Sequence, residues 1–287
     1  MTRSLLVRFC ALVIVALFVI PALAQNKVTY TDQEKAIVEQ VRELRQVPDD
    51  QRGAVTRKLA VEIRALSFSP GKLQLASGLG SLATEGDFGH DTLQEVTNTI
   101  TDALREAEKK GGADENHYRG LARLVRYEGT TTSLSSAQYS QAVAYFEAAD
   151  RARASADFML TDLQGKRWAM KDLKGKVLLL NFWATWCPPC RKEIADLEAL
   201  YSEYKGKGLV ILGVADDDVQ KLKDYAAKEK INYPVLPDID RKVHNALQIE
   251  GIPATLIYDR NGKLAAQAVD MRTREQFVKL LAKAGLE

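Results

Sequence analysis

The sequence predicts an all-α region followed by an α/β domain with a central mixed sheet flanked by helices. Between about residues 31 and 150, apolar residues recur at helical spacing and strand patterns are nearly absent. Farther along the chain, strands alternate with helices, and a continuous apolar strand at 177–183 leads directly into a closely spaced cysteine pair. We therefore expect an all-α domain at 25–152 and an α/β domain at 156–287.

Residues 1–24 have the pattern of a secretory signal peptide. Arg3 and Arg8 supply the positive charge, an apolar run follows at 9–20, and an Ala-x-Ala cleavage site ends the segment. The apolar run is shorter than the ~20 residues that a spanning helix needs. We expect cleavage and export to the periplasm or another extracytoplasmic space. The alternative is a membrane anchor at residues 9–24 that faces the periplasm.

Capping and breaking residues divide the all-α region into five or six helices. Thr31 followed by Glu34 is a capping box at the first helix. No sequence repeat is evident in this region. Its function stays open: it could dock a partner, form a dimer or provide a platform for a substrate. Breaks or ends are expected at Pro48, Pro70 and Gly111-Gly112, and the last two helices at 115–127 and 136–149.

The α/β region opens with a β-hairpin and then alternates between strands and helices. The turn at 259–262 is a strong hairpin signal near the end of the chain. The expected strands are 158–160, 167–169, 177–183, 209–214, 233–236, 254–258 and 263–269, and the expected helices are 188–204, 218–230, 241–247 and 273–284.

Cys187 and Cys190 are the residues that say most about function. The chain has three cysteines, and Cys10 lies in the segment expected to be removed. A Cys-x-x-Cys pair between a strand and a helix is typical of a redox-active dithiol. A loop this short adds little stability by constraining the unfolded chain, so we expect an active pair rather than a structural one.

Charge excludes some other classes of function. The chain has 40 Lys and Arg against 38 Asp and Glu, and the balance becomes neutral without Arg3 and Arg8. No basic stripe indicates nucleic acid.

A zinc site needs three or four ligands, and a lone cysteine pair supplies two, so we expect no metal. A copper carrier remains an alternative, with His244 and Met271 as the available ligands.

Residues 156–287 resemble the thioredoxin fold of exported thiol–disulfide oxidoreductases of the TlpA/ResA type. The resemblance rests on 179–193, which reads LLNFWATWCPPCRKE, and on Gly-Ile-Pro-Ala-Thr at 251–255. The opening hairpin also matches. The resemblance covers a little under half of the chain. It implies nothing about the structure or function of the all-α region.

Within this resemblance Cys187 is the nucleophile, because the helix N-terminus favours its thiolate. Cys190, one turn farther and more buried, resolves the mixed disulfide. Pro188 and Pro189 fit the first turn of the helix. Two prolines offer no side-chain donor to the thiolate, so we expect a reducing or intermediate potential.

Asn181 stands where cytosolic thioredoxin has a buried Asp, and an amide cannot take up a proton. The resemblance implies that Glu193, three residues after Cys190, serves instead. Our hypothesis is that partial burial raises the pKa of Glu193 and lets it carry the proton of Cys190. The alternative is an ordinary solvated glutamate on the helix.

The resemblance also places Pro253 beside the dithiol as a cis proline. A cis Ile252–Pro253 bond leaves the backbone of Ile252 free to pair with a bound polypeptide. Trp186 is expected to cover one rim of the site. Trp183 is expected to pack in the core.

The sequence thus predicts an extracytoplasmic protein-disulfide reductase with no cofactor beyond the Cys187–Cys190 disulfide. The resemblance implies exported substrates with cysteine pairs, such as apocytochrome c during cytochrome c maturation or copper-site proteins, and a membrane thiol electron donor. The oligomeric state is left open. A further alternative is a non-enzymatic adaptor in which the helical domain binds the partner.

Overall fold

The structure is a computed structural model that describes residues 28–287. The expected signal peptide at 1–24 and Cys10 lie outside the described residues. Within that range, no helix combines the length and the apolar character that a membrane crossing requires. The helical part contains α1 (Asp32–Glu43), α2 (Asp49–Ala65), α3 (Pro70–Leu82), α4 (His90–Glu108), α5 (Glu115–Glu128) and α6 (Ala137–Ala154).

The helix starts follow the capping residues that the sequence indicated. The Thr31 side chain accepts a hydrogen bond from the Glu34 backbone, and Glu34 Oε2 accepts one from the Thr31 backbone at 2.7 Å. Ser69 caps α3, with Pro70 in the first turn. These contacts satisfy backbone donors that would otherwise lack partners at the helix starts.

Helix α4 lies at the centre of the helical part, where it packs against α2, α3 and α5. Its apolar face is fully buried together with apolar residues of the neighbouring helices, so one continuous core holds the bundle together. The core residues that show no exposed surface include Leu59, Ile63, Leu79, Val96 and Leu104.

Helix α6 extends five residues beyond the expected end at 149, to Ala154. The sequence pattern did not show this extension, because the last turn is Arg-rich and lacks an apolar stripe. Arg153 nevertheless has only 4% of its surface exposed. Its burial against the α/β domain, described below, stabilises the extra turn.

The α/β domain has a β-hairpin and a five-stranded mixed sheet, as predicted. β3 lies at the centre of the sheet and pairs in parallel with β4 and antiparallel with β6, in the order β5-β4-β3-β6-β7. The elements are β1 (Met159–Thr161), β2 (Arg167–Ala169), β3 (Val177–Trp183), α7 (Pro188–Tyr204), β4 (Leu209–Ala215), α8 (Val219–Lys228), β5 (Val235–Pro237), α9 (Lys242–Ala246), β6 (Ala254–Tyr258), β7 (Leu264–Ala268) and α10 (Arg274–Lys283).

Every residue of β3 is buried, which explains its unbroken apolar sequence. Alternate side chains point to opposite faces of the sheet. Val177 and Leu179 pack with α7 and α10, whereas Leu178 and Leu180 pack with α9 and Phe158 beside the hairpin. The strand thus has both faces covered, and this holds its carboxyl end in a fixed position.

Arg153 joins the helical part to the α/β domain. Its guanidinium donates hydrogen bonds to the backbone oxygens of Leu247 at 3.2 Å and Gln248 at 3.0 Å, and to the Tyr127 hydroxyl at 3.1 Å. The Tyr258 hydroxyl in turn donates to the Arg153 backbone oxygen at 2.9 Å. A buried charge is tolerated here because nearly all its donors have partners.

Replacing Arg153 with alanine is expected to lower the free energy of unfolding by about 3 kcal/mol, because it leaves buried acceptors without partners. Urea unfolding followed by circular dichroism measures the change. The matched control is Arg151→Ala, because Arg151 is an exposed residue of the same helix. An equal loss in both variants would contradict this role for Arg153.

Candidate active site

The two cysteines lie where the carboxyl end of β3 meets the start of α7. They form a disulfide, and Cys187 is the N-cap residue of α7. The Cys190 backbone N–H donates to Cys187 Sγ at 3.3 Å. Pro188 and Pro189 occupy the first turn, as expected. When the disulfide is reduced, this N–H and the helix dipole stabilise a thiolate at Cys187.

In the disulfide form both cysteines are buried, and Cys190 is only marginally more buried than Cys187. Cys187 is 2% exposed and Cys190 is 1% exposed. Cys187 Sγ lies 3.9 Å from the Ile252 carbonyl oxygen, so the disulfide lies beside the loop that carries Ile252. The exposed residues at the site are Trp186 and Pro188.

Trp186 is 63% exposed and therefore presents an apolar surface to a partner beside Cys187. Trp183, by contrast, is fully buried and packs against Tyr225. These two placements agree with the positions expected from the sequence.

The loop that carries Ile252 and Pro253 faces the disulfide, and the peptide bond between them is cis, as predicted. Within the described part of the chain, the Ile252 backbone N–H has no hydrogen-bond partner. Unpaired backbone groups beside a reactive sulfur are suited to pairing with an extended polypeptide.

Asn181 and Glu193 meet below the disulfide in the protein interior. Asn181 Nδ2 donates to Glu193 Oε2 at 3.2 Å and to Thr255 Oγ1 at 3.1 Å. Glu193 Oε1 accepts from the Arg272 backbone N–H at 2.6 Å. Glu193 and Cys190 are three residues apart and therefore share a face of α7. In this oxidised form and among the described residues, Glu193 does not hydrogen-bond to either sulfur.

Glu193 is a buried carboxyl group and not the solvated glutamate of the alternative. Burial raises the pKa of Glu193 to about 8, and hydrogen bonds from the Arg272 backbone and Asn181, together with the Arg272 charge, limit the rise. A carboxyl group with this pKa exchanges a proton near neutral pH, as a general acid or base requires.

The helical part contributes to the surroundings of Glu193 through Arg272. The Arg272 guanidinium pairs with Glu128 of α5 at 2.6 Å, and both side chains are under a tenth exposed. Neither residue could be predicted from the sequence, because the two lie 144 positions apart and neither belongs to a motif. Arg272 directly precedes the Thr273 cap of α10, which is the only local signal near them.

Asp217 is a third residue near the site whose role was not predicted from the sequence. It accepts hydrogen bonds from the Thr185 backbone at 2.7 Å and the Thr185 hydroxyl at 3.0 Å, and so fixes the loop before Cys187. Burial opposes its ionisation, but bonds from Lys221 and Thr185 hold the pKa of Asp217 below its usual value. Its position after β4, beside the end of β3, could have indicated this contact, since parallel strands end at the same edge.

His244 and Met271, the alternative copper ligands, are both buried. His244 Nδ1 lies 2.7 Å from Asp238 Oδ2, and its ring packs edge-on against Phe182. In the described range 28–287, no three His, Cys, Asp or Glu residues are grouped so that they could hold a metal ion. His244 is therefore engaged within the core of the domain.

Comparison with known proteins gives several matches to the α/β domain. The profile of the AhpC/TSA family matches residues 152–267. The thiol-disulfide oxidoreductase ResA of Bacillus anthracis is 37% identical over 128 residues, which cover 44% of this chain and 74% of the relative. ResA of Geobacillus kaustophilus (strain HTA426) is 34% identical over 120 residues, which cover 42% of this chain and 69% of the relative.

Among solved structures, a thiol:disulfide interchange protein of the thioredoxin family from Chlorobium tepidum TLS is 30% identical. The matched region covers 45% of this chain and 92% of the Chlorobium chain, with a TM-score of 0.42. The ResA relatives align over more than two thirds of their own length and share at least 34% of the aligned residues. The chain therefore belongs to the ResA-type thiol–disulfide oxidoreductases and is an enzyme of protein thiol–disulfide exchange.

Proposed function

We propose that the protein reduces disulfides in exported proteins through Cys187 and Cys190. The observation that carries this proposal is the position of Cys187. It caps α7, where the helix start stabilises a thiolate, and its Sγ lies 3.9 Å from the carbonyl oxygen of Ile252, whose backbone N–H has no partner among the described residues. Nucleophile and polypeptide-binding backbone thus lie side by side.

In the proposed reaction, the Cys187 thiolate attacks one sulfur of the substrate disulfide. A mixed disulfide forms, and the other substrate sulfur leaves as a thiolate that takes up a proton. Cys190 then loses its proton and attacks Cys187 Sγ. This step releases the second substrate thiol and closes the Cys187–Cys190 disulfide. Two electrons pass to the substrate, and a thiol donor must return the pair to its reduced form.

Glu193 is proposed to accept the Cys190 proton in the second step. Its raised pKa and its place one turn beyond Cys190 support this role. Asn181 is proposed as a positioning residue, because it holds Glu193 Oε2 from the neighbouring strand. Trp186, Ile252 and Pro253 are proposed to contact the substrate.

The compartment and the partners complete the proposal. The signal pattern at 1–24 supports an extracytoplasmic location, where disulfides persist. Exported proteins with cysteine pairs are the proposed substrates, among them apocytochrome c or copper-site proteins. A reductant in such a compartment needs electrons supplied across the membrane, so a membrane thiol protein is the proposed donor.

A first prediction tests whether the dithiol is catalytic. The variant Cys190→Ser retains the nucleophile but cannot resolve the mixed disulfide, so it is expected to accumulate a covalent complex with a disulfide-containing protein. Non-reducing electrophoresis and mass spectrometry detect this complex. The control Cys187→Ser is expected to form none. If Cys187→Ser retained full function in the cell, the adaptor alternative would replace the enzyme.

A second prediction concerns the direction of electron flow. The Pro188-Pro189 pair offers no side-chain donor to the thiolate, so the Cys187–Cys190 potential is expected to be near that of thioredoxin, roughly −270 mV. Equilibration in thiol redox buffers with tryptophan fluorescence measures it. A value near roughly −120 mV would mark an oxidant and would reverse the proposed direction.

A third prediction concerns the proton on Glu193. Its carboxyl group is protonated below about pH 8 and accepts a proton only above that value. The rate of Cys190 attack on the mixed disulfide is therefore expected to rise with pH through about 8. In Glu193→Gln the rate is expected to fall roughly a hundredfold and to lose this step. Stopped-flow kinetics of product release measures the profile.

The matched control for this profile is Glu198→Gln, because Glu198 lies on the same helix and outside the dithiol surroundings. An unchanged pH profile in Glu193→Gln would remove Glu193 from the mechanism. Retained stability of the variant, measured by urea unfolding, separates the proton role from a structural one.

A further inference from the structure

A cavity of about 840 Å³ lies between the helical part and the thioredoxin-like domain. Helices α3, α5 and α6 form one wall, and residues 248–251 with Ala254 form much of the other. Binding sites of proteins are commonly of this size and commonly lie at domain junctions. The cavity reaches Gly251, which directly precedes Ile252 and its contact with Cys187 Sγ.

Three glycines that line the cavity have no evident structural requirement. A Cβ atom added at Gly78, Gly120 or Gly251 would meet nothing within 4 Å, and none of the three has a positive φ angle. Gly80, on the same helix as Gly78, differs because a Cβ there would lie 2.9 Å from Ile100 Cδ1.

Gly78 and Gly120 lie inside helices, where glycine is less favourable than alanine. Neither packing nor backbone conformation explains them. What glycine does provide is close approach of another backbone to the helix surface. The glycines therefore keep the cavity wide and its walls accessible to a second chain.

The polar groups of the cavity suit a peptide backbone better than a small anion. Gln74 and Asn116 line the cavity and are exposed, so their side-chain amides are accessible to a bound partner. Each amide offers a donor and an acceptor, as a peptide bond does. The arginines of the lining are already paired within the protein, so they leave little free charge for an anion.

Two of these ion pairs also hold the walls together. Arg119 of α5 lies 3.6 Å from Glu250, and its guanidinium stacks 3.8 Å from the Tyr145 ring centroid. Arg123 Nε lies 3.5 Å from Asp270 Oδ2. The cavity is thus formed before any partner binds, which lowers the entropic cost of binding.

We propose that this cavity receives an extended segment of the substrate polypeptide, the part that flanks the target cysteine and runs past Gly251 into the space beside α3 and α5. This inference rests on the proposed function, because it assigns a docking surface to the same substrate. It also gives the helical part a role: the helices form the second wall of the substrate site.

The test compares a polypeptide disulfide with a small one in the same enzyme. The probes are insulin and 5,5′-dithiobis(2-nitrobenzoate), and the measured quantity is the ratio of their kcat/KM values. The double variant Gly78→Leu/Gly120→Leu narrows the cavity. Its ratio of insulin to small disulfide is expected to fall roughly tenfold, mainly through a higher KM for insulin.

The control is Gly206→Leu, because Gly206 is exposed, lies outside the cavity and has equal room for a side chain. Its ratio is expected to match that of the unchanged protein. If the leucine pair does not fold, Gly78→Ala/Gly120→Ala replaces it, since helix propensity predicts a Tm higher by roughly 4 °C. A smaller fall in the same ratio is expected there.

A ratio that stays unchanged in a folded cavity variant, or a kcat/KM that falls equally for both probes, would overturn the docking proposal. An unchanged protein that reduces neither probe would instead remove the proposed function. The two failures are therefore distinguishable in one set of measurements.

Discussion

The burial of the Glu193 carboxyl group is the constraint on which much of the site depends. A carboxyl group without water must find its hydrogen bonds inside the protein or remain protonated. Glu193 does both: the Asn181 amide and the Arg272 backbone donate to it, yet its pKa still rises to about 8. The Arg272 side chain is itself buried and needs a counter-ion, which Glu128 of the helical part supplies. Glu193, the proposed proton acceptor for Cys190, is thus connected through one arginine to a helix that precedes the thioredoxin-like domain.

Burial and hydrogen bonding also fix the position of Cys187. β3 is buried on both faces, so its carboxyl end cannot shift, and the loop that follows is tied to Asp217 through Thr185. Cys187 therefore enters the N-cap position of α7 with its sulfur against the helix start. A flexible loop could present the same two cysteines, but it could not hold one of them where backbone N–H groups stabilise a thiolate.

Features that depend on neighbours in the chain could be predicted from the sequence. The capping box at Thr31, the hairpin turn at 259–262 and the Cys-Pro-Pro-Cys helix start are each local, and each lies where it was expected. Arg272 and Arg153 could not be predicted in this way, because their partners lie far along the chain and leave no periodic signal. From the sequence alone, an arginine is expected to be exposed to solvent. Only the docking of two domains turns it into a buried group that joins them.

Docking of the helical part also bears on how the enzyme selects a substrate. In the disulfide form both sulfurs are almost inaccessible, and Trp186 is the large exposed apolar group beside them. A partner disulfide must then be brought to Cys187 in a narrow range of orientations, and contacts beyond the sulfurs determine which partners achieve this. A free thioredoxin-like domain can offer the Ile252 backbone and the Trp186 ring for this purpose. In this chain helices α3, α5 and α6 form one wall of a cavity that reaches Gly251, and the exposed amides of Gln74 and Asn116 lie on that wall. Selectivity is therefore expected to come from the polypeptide around the target cysteine more than from the chemistry of the disulfide, because the reacting sulfurs are alike in every substrate.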